Sequence, residues 1–317
     1  MANTDAVKNI DKLKATFTNV RAEIAKKIIG QVDVIEQVLI AILTDSNALL
    51  ESNPGLGKTT MIKAIADTMN LKFSRIQGTP DLMPSDVIGT YVIEEKDGKK
   101  VFKFQRGPIF ANVVLMDEIN RATPKTQAAL LEAMQEKQVT VGNQTFELDK
   151  PFFVLATQNP IDQEGTYPLP EAQTDRFLLK ILLDYPNLEE ELAIVDQFTK
   201  PATKEKLKQL MSGESIALLQ KLTRQVPIAN DIKKRAVELV TKTRNTPDLI
   251  EYGASPRASL GIVLAAKARA LMDGRKFVSE KDIESVAFPV LRHRIVLSFK
   301  AERAGKSADD VIKEVLK

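Results

Sequence analysis

The sequence predicts an α/β fold: a parallel five-stranded sheet between helices, with two inserted β-hairpins, followed by a smaller all-helical segment. Three observations predict it. Short apolar runs alternate with helical periods up to residue 184, two further pairs of short runs flank turn dipeptides, and only helical periods follow. Because strands that alternate with helices form parallel sheets covered on both faces, we expect two domains, residues 1–184 and 185–317.

The five sheet strands are predicted from short runs rich in valine, isoleucine, leucine or phenylalanine. These runs lie at residues 48–50, 73–76, 113–116, 152–156 and 178–183. Before them, apolar residues recur every three or four positions and predict two helices. The apolar stripes of these helices are Leu13, Phe17, Val20, Ile24 and Ile28, and then Val34, Val38 and Ile42.

Turn dipeptides predict the two hairpins. Residues 87–93 and 101–104 flank Asp97-Gly98, and residues 139–141 and 145–148 flank Gly142-Asn143. Such dipeptides adopt the positive φ that tight hairpins require. Beyond residue 186, helical periods predict helices over residues 189–198, 215–224, 231–243, 255–272, 280–288 and 309–317. Ser255 before Pro256 is predicted to cap the fourth of these helices.

The composition excludes several classes of function. The chain has 317 residues, of which 44% are hydrophobic and 27% charged, as expected for a packed globular protein. The formal net charge is only +3. Nucleic-acid-binding proteins typically have a clustered excess of basic residues, so the charge gives no support to that function. With no cysteine and a single histidine, disulfides, thiolate sites and histidine-rich metal centres are excluded. No apolar run approaches the ~18 residues that span a bilayer and no signal-peptide pattern is present, so we expect a cytoplasmic protein without a membrane span.

The segment between the first sheet strand and the following helix predicts a phosphate-binding loop. It reads Ser52-Asn-Pro-Gly-Leu-Gly-Lys-Thr59, with serine where the usual pattern has glycine. Backbone N–H groups and the positive helix end would hold the β-phosphate. Lys58 would reach the β- and γ-phosphates, and the Thr59 hydroxyl would ligate magnesium. The alternative is an ordinary Gly/Pro turn before a helix, with Lys58 solvated.

Two carboxylates follow the third sheet strand. Asp117 at the end of this strand is predicted to hold the magnesium hydration shell beside Thr59. Glu118 is predicted to orient or deprotonate the attacking water. Paired acids after a buried strand can also cap a helix. Because these two follow a phosphate-binding loop in the sequence, the catalytic role is favoured.

Polar residues at three further positions are candidates for the same chemistry. Asn159 follows the fourth sheet strand, where it would hold the attacking water or contact the γ-phosphate. Alternatively, it would form a turn before Pro160. Arg176 precedes the last sheet strand, and Arg257 lies in the first turn of a helix, where its charge opposes the helix dipole. Each arginine would neutralise phosphoryl-transfer charge, in its own or a neighbouring molecule, or form a surface salt bridge.

The remaining conspicuous residues are interpreted as structural. His293 stands alone between two arginines, which favours a structural role. A nearby basic stretch is predicted to be a solvated face: Arg292, Arg294, Lys300, Arg303 and Lys306.

Taken together, the motifs resemble those of the AAA+ ATPases, and among them the MoxR family. The resemblance covers nearly the whole chain. Its motifs are residues 50–59, Gly107-Pro-Ile-Phe110, Leu115-Met-Asp-Glu-Ile-Asn-Arg121, Ala156-Thr-Gln-Asn-Pro160, residues 165–177 and Gly253-Ala-Ser-Pro-Arg257. The chain departs from the family pattern at two positions. Ser52 stands where the family has glycine, and Met116 stands where a small residue is common.

The resemblance implies a role for each candidate residue. Catalysis is assigned to Lys58, to Glu118 of Walker B, to Asn159 as sensor 1, to Arg176 as arginine finger and to Arg257 as sensor 2. Mg²⁺ is assigned to Thr59 and Asp117. The implied ATP-binding residues are Ile29, Gly30, Asn53, Pro54, Gly55, Leu56, Gly57, Lys58, Thr59, Thr60 and Arg257. Segment 29–31 resembles the region that contacts adenine in the family. The hairpins match the family's helix-2 insert and pre-sensor-1 hairpin.

The resemblance also implies a function. Such proteins form ring hexamers, hydrolyse ATP with Mg²⁺ and act as chaperone-like remodellers of partner proteins, often ones with von Willebrand factor A domains. Two alternatives stay open. A nucleic-acid motor would use the hairpins in a pore, against which stand the near-neutral charge and Glu147 in a hairpin. A nucleotide-gated scaffold without hydrolysis would require the loss of Glu118, Asn159 or Arg176, and all three are present.

Overall fold

A parallel sheet of five strands organises the first part of the chain. The computed structural model describes residues 2–96, 99–160, 165–199 and 206–316, with side chains described from residue 13 onward except that of Lys96. The predicted Asp97-Gly98 turn and residue 317 lie outside the described residues. Up to the last sheet strand, the elements are α1 (Ala2–Ala25), α2 (Val32–Leu43), β1 (Ala48–Ser52), α3 (Lys58–Thr68), β2 (Phe73–Gln77), α4 (Pro84–Ile88), β3 (Gly89–Lys96), β4 (Lys99–Arg106), β5 (Val113–Asp117), α5 (Pro124–Glu136), β6 (Gln138–Val141), β7 (Gln144–Glu147), β8 (Phe153–Gln158), α6 (Glu171–Thr174) and β9 (Leu179–Leu183).

The strand order in this sheet is β2-β5-β8-β1-β9, and every neighbouring pair is parallel. The prediction of five parallel strands is therefore confirmed. Since the strands are parallel, all of them end at one edge, which we call the carboxyl edge, and begin at the opposite one, the amino edge. The phosphate loop after β1, Asp117 at the end of β5 and Asn159 after β8 consequently lie at the carboxyl edge.

Apolar residues on both faces of the sheet are buried. Leu50 and Leu115 belong to the cluster on one face, whereas Leu49 and Val114 belong to the cluster on the other face. This alternation follows from the two-residue period of a strand. The first cluster continues into the C-terminal helices, with Ile262 fully buried, so one apolar core runs from the sheet into the second part of the chain.

The two predicted hairpins are present as antiparallel pairs, β3 with β4 and β6 with β7. They touch each other, because the rings of Phe104 and Phe146 stack with centroids 4.2 Å apart. The first hairpin begins at Gly89 rather than at residue 87, because Pro84 opens a short helix and the Asp86 carboxylate accepts a hydrogen bond from the Met83 N–H.

The C-terminal part is helical, as predicted, apart from one short ribbon. Its elements are α7 (Leu188–Thr199), α8 (Gly213–Gln225), α9 (Asn230–Arg244), β10 (Ile250–Tyr252), α10 (Pro256–Met272), α11 (Glu280–Leu291), β11 (Val296–Leu297), α12 (Phe299–Arg303) and α13 (Ala308–Leu316). The antiparallel ribbon β10–β11 and helix α12 are not predicted from the sequence. Strands of three and two residues are too short to show a two-residue period.

Candidate nucleotide site

The phosphate loop connects β1 to α3 at the carboxyl edge. Gly55 and Gly57 have φ of 85° and 74°, and Gly57 is the residue from which α3 starts. Left-handed φ is accessible to glycine without strain. Ser52, the departure from the usual pattern, is buried, and its hydroxyl donates to the carbonyl of Asn53. The first N–H groups of a helix have no partner within it, so those at the start of α3 are available to an anion.

The Asp117 carboxylate is held on both oxygens. Its Oδ1 accepts a hydrogen bond of 2.7 Å from the Thr157 hydroxyl, and its Oδ2 lies 2.6 Å from a guanidinium nitrogen of Arg75. The same Thr157 hydroxyl accepts a bond from the Glu118 N–H. Thr157 thus links the two strands that carry the predicted Asp117 and Asn159. Neither Thr157 nor Arg75 is among the residues predicted from the sequence, although Thr157 lies inside a quoted motif.

The donor set fits Mg²⁺. Carboxylate and hydroxyl oxygens are the ligands this ion prefers, and it is commonly held by one or two carboxylates together with phosphate and water. Among the described residues, no group of three or more aspartate, glutamate, histidine or cysteine side chains is arranged so that it could hold a metal ion. The Arg75 guanidinium already stands beside Asp117 as a cation. The Asp117 carboxylate thus already binds one cation at the carboxyl edge, and the Thr59 hydroxyl lies at the same edge.

Glu118 adopts a left-handed backbone conformation, with φ of 55°. Its carboxylate accepts hydrogen bonds from Gln77 at 3.0 Å and Arg121 at 3.1 Å. Gly78 packs directly on the Glu118 backbone, where an added Cβ would overlap the Glu118 carbonyl oxygen, and the Gly78 N–H donates to the Asp117 carbonyl. The end of β2 therefore fixes both the backbone and the side chain of Glu118.

Two further predicted regions also lie at the carboxyl edge. Asn159 directly follows β8 and is 8% exposed. The segment 29–31, predicted to contact adenine, is tied to the end of β9 because Gln31 donates to the Asp184 carbonyl at 3.1 Å. Gly30, with φ of 68°, lies directly under the Glu190 carboxylate, which an added Cβ would overlap. The left-handed conformation of the backbone favours glycine at this position.

The two predicted arginines lie at the opposite, amino edge. Arg176 precedes β9, whose first residue pairs with the first residue of β1. Arg257 is 3.2 Å from Asp175, the neighbour of Arg176, and both arginines line one cavity of about 450 Å³. The structure thus brings Arg176 and Arg257 together. It does not bring them to the phosphate loop, since the length of β1 separates the two edges.

Arg294 and Arg292 contradict the prediction of a solvated basic face. The Arg294 side chain is 3% exposed, lies 2.7 Å from Asp175 and donates to backbone carbonyls before β9. Arg292 is also largely buried and makes two hydrogen bonds to Asp309. Arg294 points inward because the Phe177 and Leu178 carbonyls ahead of β9 accept its hydrogen bonds. Arg292 points inward because the Asp309 carboxylate and the Lys180 carbonyl within β9 accept its hydrogen bonds. Lys300, by contrast, is exposed as predicted, at 77%.

His293 has the structural environment that its sequence context predicts. Its Nε2 lies 3.0 Å from the Phe177 carbonyl. Burial, followed by the charge of neighbouring Arg294, lowers the pKa of His293 well below its usual value. The imidazole is therefore neutral at physiological pH and joins α11 to the chain ahead of β9.

Comparison with known proteins agrees with the fold. Residues 47–179 match the family described as "ATPase family associated with various cellular activities (AAA)", and residues 242–315 match the AAA lid domain. The chain belongs to this family and is an AAA+ ATPase. Within the described residues, no helix combines the length and apolarity needed to cross a membrane.

The relatives identify the branch of the family. The Bacillus subtilis protein YeaC is 43% identical over 293 residues, 92% of this chain and 91% of its own length. Chaperone MoxR1 of Mycobacterium tuberculosis is 42% identical over 302 residues, 93% of this chain and 79% of its own. The crystal structure of a Cytophaga hutchinsonii protein has a TM-score of 0.92 at 41% identity, covering 100% of this chain and 98% of its own. The chain is a MoxR-family AAA+ ATPase.

Proposed function

We propose that this ATPase hydrolyses ATP with Mg²⁺ at sites shared between copies of the chain in a ring, and that the cycle remodels a partner protein. The observation that carries the proposal is the separation of Arg176 and Arg257, at the amino edge, from the phosphate loop, Asp117 and Glu118 at the carboxyl edge.

The separation favours action on a neighbouring copy. Between its first and last residues, β1 is about 13 Å long at ~3.3 Å per residue. Arg257 is in addition anchored at the amino edge, because Asp175 accepts hydrogen bonds from it and from its capping residue Ser255. In phosphoryl transfer, the arginine that stabilises the transition state can be supplied in trans by a second protein. A second copy would therefore present its amino edge to the carboxyl edge of the first.

Each residue then has a defined task. The N–H groups at the start of α3 and the Lys58 ammonium would hold the β- and γ-phosphates. Thr59 and Asp117 would hold Mg²⁺, which when bound neutralises charge on the phosphate oxygens. The Glu118 carboxylate would orient the attacking water and accept its proton, with Asn159 as the second contact for that water. Segment 29–31 would contact the adenine.

The first hairpin supports a protein partner. Ile93 and Phe102, cross-strand neighbours in β3 and β4, are 59% and 71% exposed. Exposed apolar side chains of this size are typical of surfaces that contact other proteins. The name of the relative Chaperone MoxR1 is consistent with a chaperone-like role here too. A client with a von Willebrand factor A domain and a hexameric ring are the partner and assembly that the family suggests.

The exposed residues Lys99 and Lys100 in β4 make a nucleic-acid partner the second candidate. Lys103 in the same strand is neutralised by Glu94 at 2.9 Å, which weakens this alternative. Stimulation of ATP turnover by single-stranded DNA, lost at higher salt, would favour it over a protein client.

Mixed rings test the shared site. Copies with Arg176→Ala keep an intact phosphate loop, and copies with Lys58→Ala keep an intact arginine. Each variant alone should be inactive, whereas their mixture should regain part of the turnover, because sites between the two kinds of copy are complete. Absence of rescue in demonstrably mixed rings would refute the shared site.

A second experiment tests hydrolysis and the client. Glu118→Gln should retain ATP but lose nearly all turnover, because the carboxylate that accepts the proton is gone. Pull-down with this variant and ATP should then retain engaged clients. If turnover of the unsubstituted chain equals that of buffer while rings form, the chain is a nucleotide-gated scaffold instead.

A further inference from the structure

Helix α7 carries an apolar stripe whose side chains are each more than half exposed among the described residues. The stripe, called here the α7 stripe, consists of Leu188, Leu192, Val195 and Phe198. These side chains are 75%, 59%, 52% and 65% exposed. They recur at spacings of four, three and three residues, so they lie along one side of the helix. Four large apolar side chains in one row are typical of a surface that packs against another protein.

The opposite side of α7 is seated beside the proposed nucleotide site. Gln197 donates to the Lys26 carbonyl at 2.9 Å, and the Glu190 carboxylate lies against Gly30. Helix α7 also follows the carboxyl end of β9 after four residues, 184–187. The α7 stripe therefore faces outward at the carboxyl edge, next to the segment assigned to adenine.

We infer that the α7 stripe binds a second copy of this chain, at the surface of α10 around Leu260. The inference rests on the shared site of the proposed function. There, the amino edge of one copy must approach the carboxyl edge of the next to deliver Arg176 and Arg257. The stripe flanks the carboxyl edge, and α10 carries Arg257 itself.

The α10 surface has the matching apolar contact. Leu260 is 66% exposed and lies one turn after Arg257, and Leu264 follows one turn later. Both leucines line the same cavity as Arg176 and Arg257. A neighbour that inserts these arginines would thus bring the exposed Leu260 and the half-buried Leu264 towards the α7 stripe.

The charges of the two surfaces are complementary. The first turn of α7 carries Glu189 and Glu191 besides Glu190, whose carboxylate lies against Gly30. The cavity beside Leu260 has an excess of positive charge, because four cationic side chains line it against two carboxylates: Lys137, Arg176, Arg257 and Arg294 against Asp45 and Asp175. Opposite charge around an apolar contact favours the correct register of two surfaces and repels copies that approach by the same face. This complementarity selects a head-to-tail contact, as a ring requires.

Charge placed in the stripe tests the contact. In the presence of Mg²⁺ and ATP, Leu192→Glu and Val195→Glu should raise the protein concentration at half-assembly roughly ten-fold or more, measured by analytical ultracentrifugation. Ala193→Glu adds the same charge to an exposed position off the stripe and should assemble like the unsubstituted chain. Binding of a fluorescent ATP analogue to the dissociated copies should be unchanged. Assembly of the stripe variants equal to that of Ala193→Glu would overturn the inference.

Crosslinking tests the partner surface. Because the chain has no cysteine, Leu192→Cys copies can be mixed with Leu260→Cys copies so that any bismaleimide product joins two chains. The product should form with nucleotide, and a mixture with Leu218→Cys, an exposed position on α8, should give little product. Equal yields from both mixtures, or none from Leu260→Cys, would overturn the inference.

The outcomes separate this contact from the proposed function. Normal rings and rescue of Arg176→Ala by Lys58→Ala, without any effect of the stripe variants, would refute only the α7 contact. Loss of client capture by stripe variants that still assemble would assign the stripe to the client and likewise refute it. Failure of the unsubstituted chain to assemble with ATP would refute both.

Discussion

Asp175 joins the amino edge of the sheet to the C-terminal helices, and its replacement gives the sharpest prediction for stability. Its carboxylate is 17% exposed and lies 2.7 Å from Arg294, whose side chain is 3% exposed. Asp175→Asn leaves that guanidinium buried without its counter-charge. Breaking a buried ion pair by removing one partner destabilises a protein by ~3–5 kcal/mol. Because Arg294 keeps hydrogen bonds to the Phe177 and Leu178 carbonyls, we expect the lower end, about 3 kcal/mol.

Urea unfolding followed by far-UV circular dichroism measures this loss, since the chain has no tryptophan to serve as a fluorescent probe. Asp248→Asn is the matched control, because it removes the same charge from an ion pair with Lys300 in which both side chains are more than three-quarters exposed. Exposed pairs contribute little, so the control should unfold like the unsubstituted chain. A loss below ~1 kcal/mol for Asp175→Asn, or one equal to the control, would refute the assignment of a buried, charge-dependent contact.

Three other predictions follow from single contacts. Arg75→Ala removes a cation that competes with Mg²⁺ for Asp117, and the interaction lost is worth up to ~1 kcal/mol. The Mg²⁺ concentration for half-maximal ATP turnover should therefore fall by up to about five-fold. A higher Mg²⁺ requirement would contradict this prediction. Alanine at Phe104 and Phe146, singly and together, should give a coupling energy of ~0.5–1.5 kcal/mol in a double-mutant cycle, and additive effects would speak against coupled hairpins. The pKa of His293 is lowered in the folded chain, so the unfolded chain takes up the proton first and the free energy of unfolding should fall as the pH drops below about 6.5, by up to ~1.4 kcal/mol per pH unit. His293→Gln should flatten that slope, and an unchanged slope would show that other groups cause it.

The sheet strands and the phosphate loop are predictable because their signals are local. Each strand is a short apolar run, and the loop is a glycine-rich turn between such a run and a helix. Where two local signals compete, the first residue of an element differs from the predicted one, as it does at Val87. There the apolar pattern favours a strand, but Pro84 and Asp86 start a helix that ends only at Ile88.

Residues whose role depends on distant partners are not predictable in this way. Arg292 and Arg294 flank His293 in a basic stretch typical of a solvated surface, yet both side chains are largely buried. Their partners are the Lys180 carbonyl and Asp309 for Arg292, and the Phe177 carbonyl for Arg294, none of which is near in the sequence. Arg75 is likewise unremarkable within its strand. It stands beside Asp117 only because β2 and β5 are neighbours in the sheet.

The sequence by itself determined the class of protein and the position of the phosphate loop, Asp117 and Asn159 at one edge of the sheet. A phosphate loop followed by Asp117 and Glu118 is a short-range pattern, and parallel strands necessarily bring their ends to one edge. Only the tertiary structure decided whether Arg257 lies at the amino edge or at the carboxyl edge of the sheet. Asp175 and the buried core shared by the sheet and the C-terminal helices hold α10 at the amino edge, the length of β1 away from the phosphate loop, and no local pattern encodes that packing.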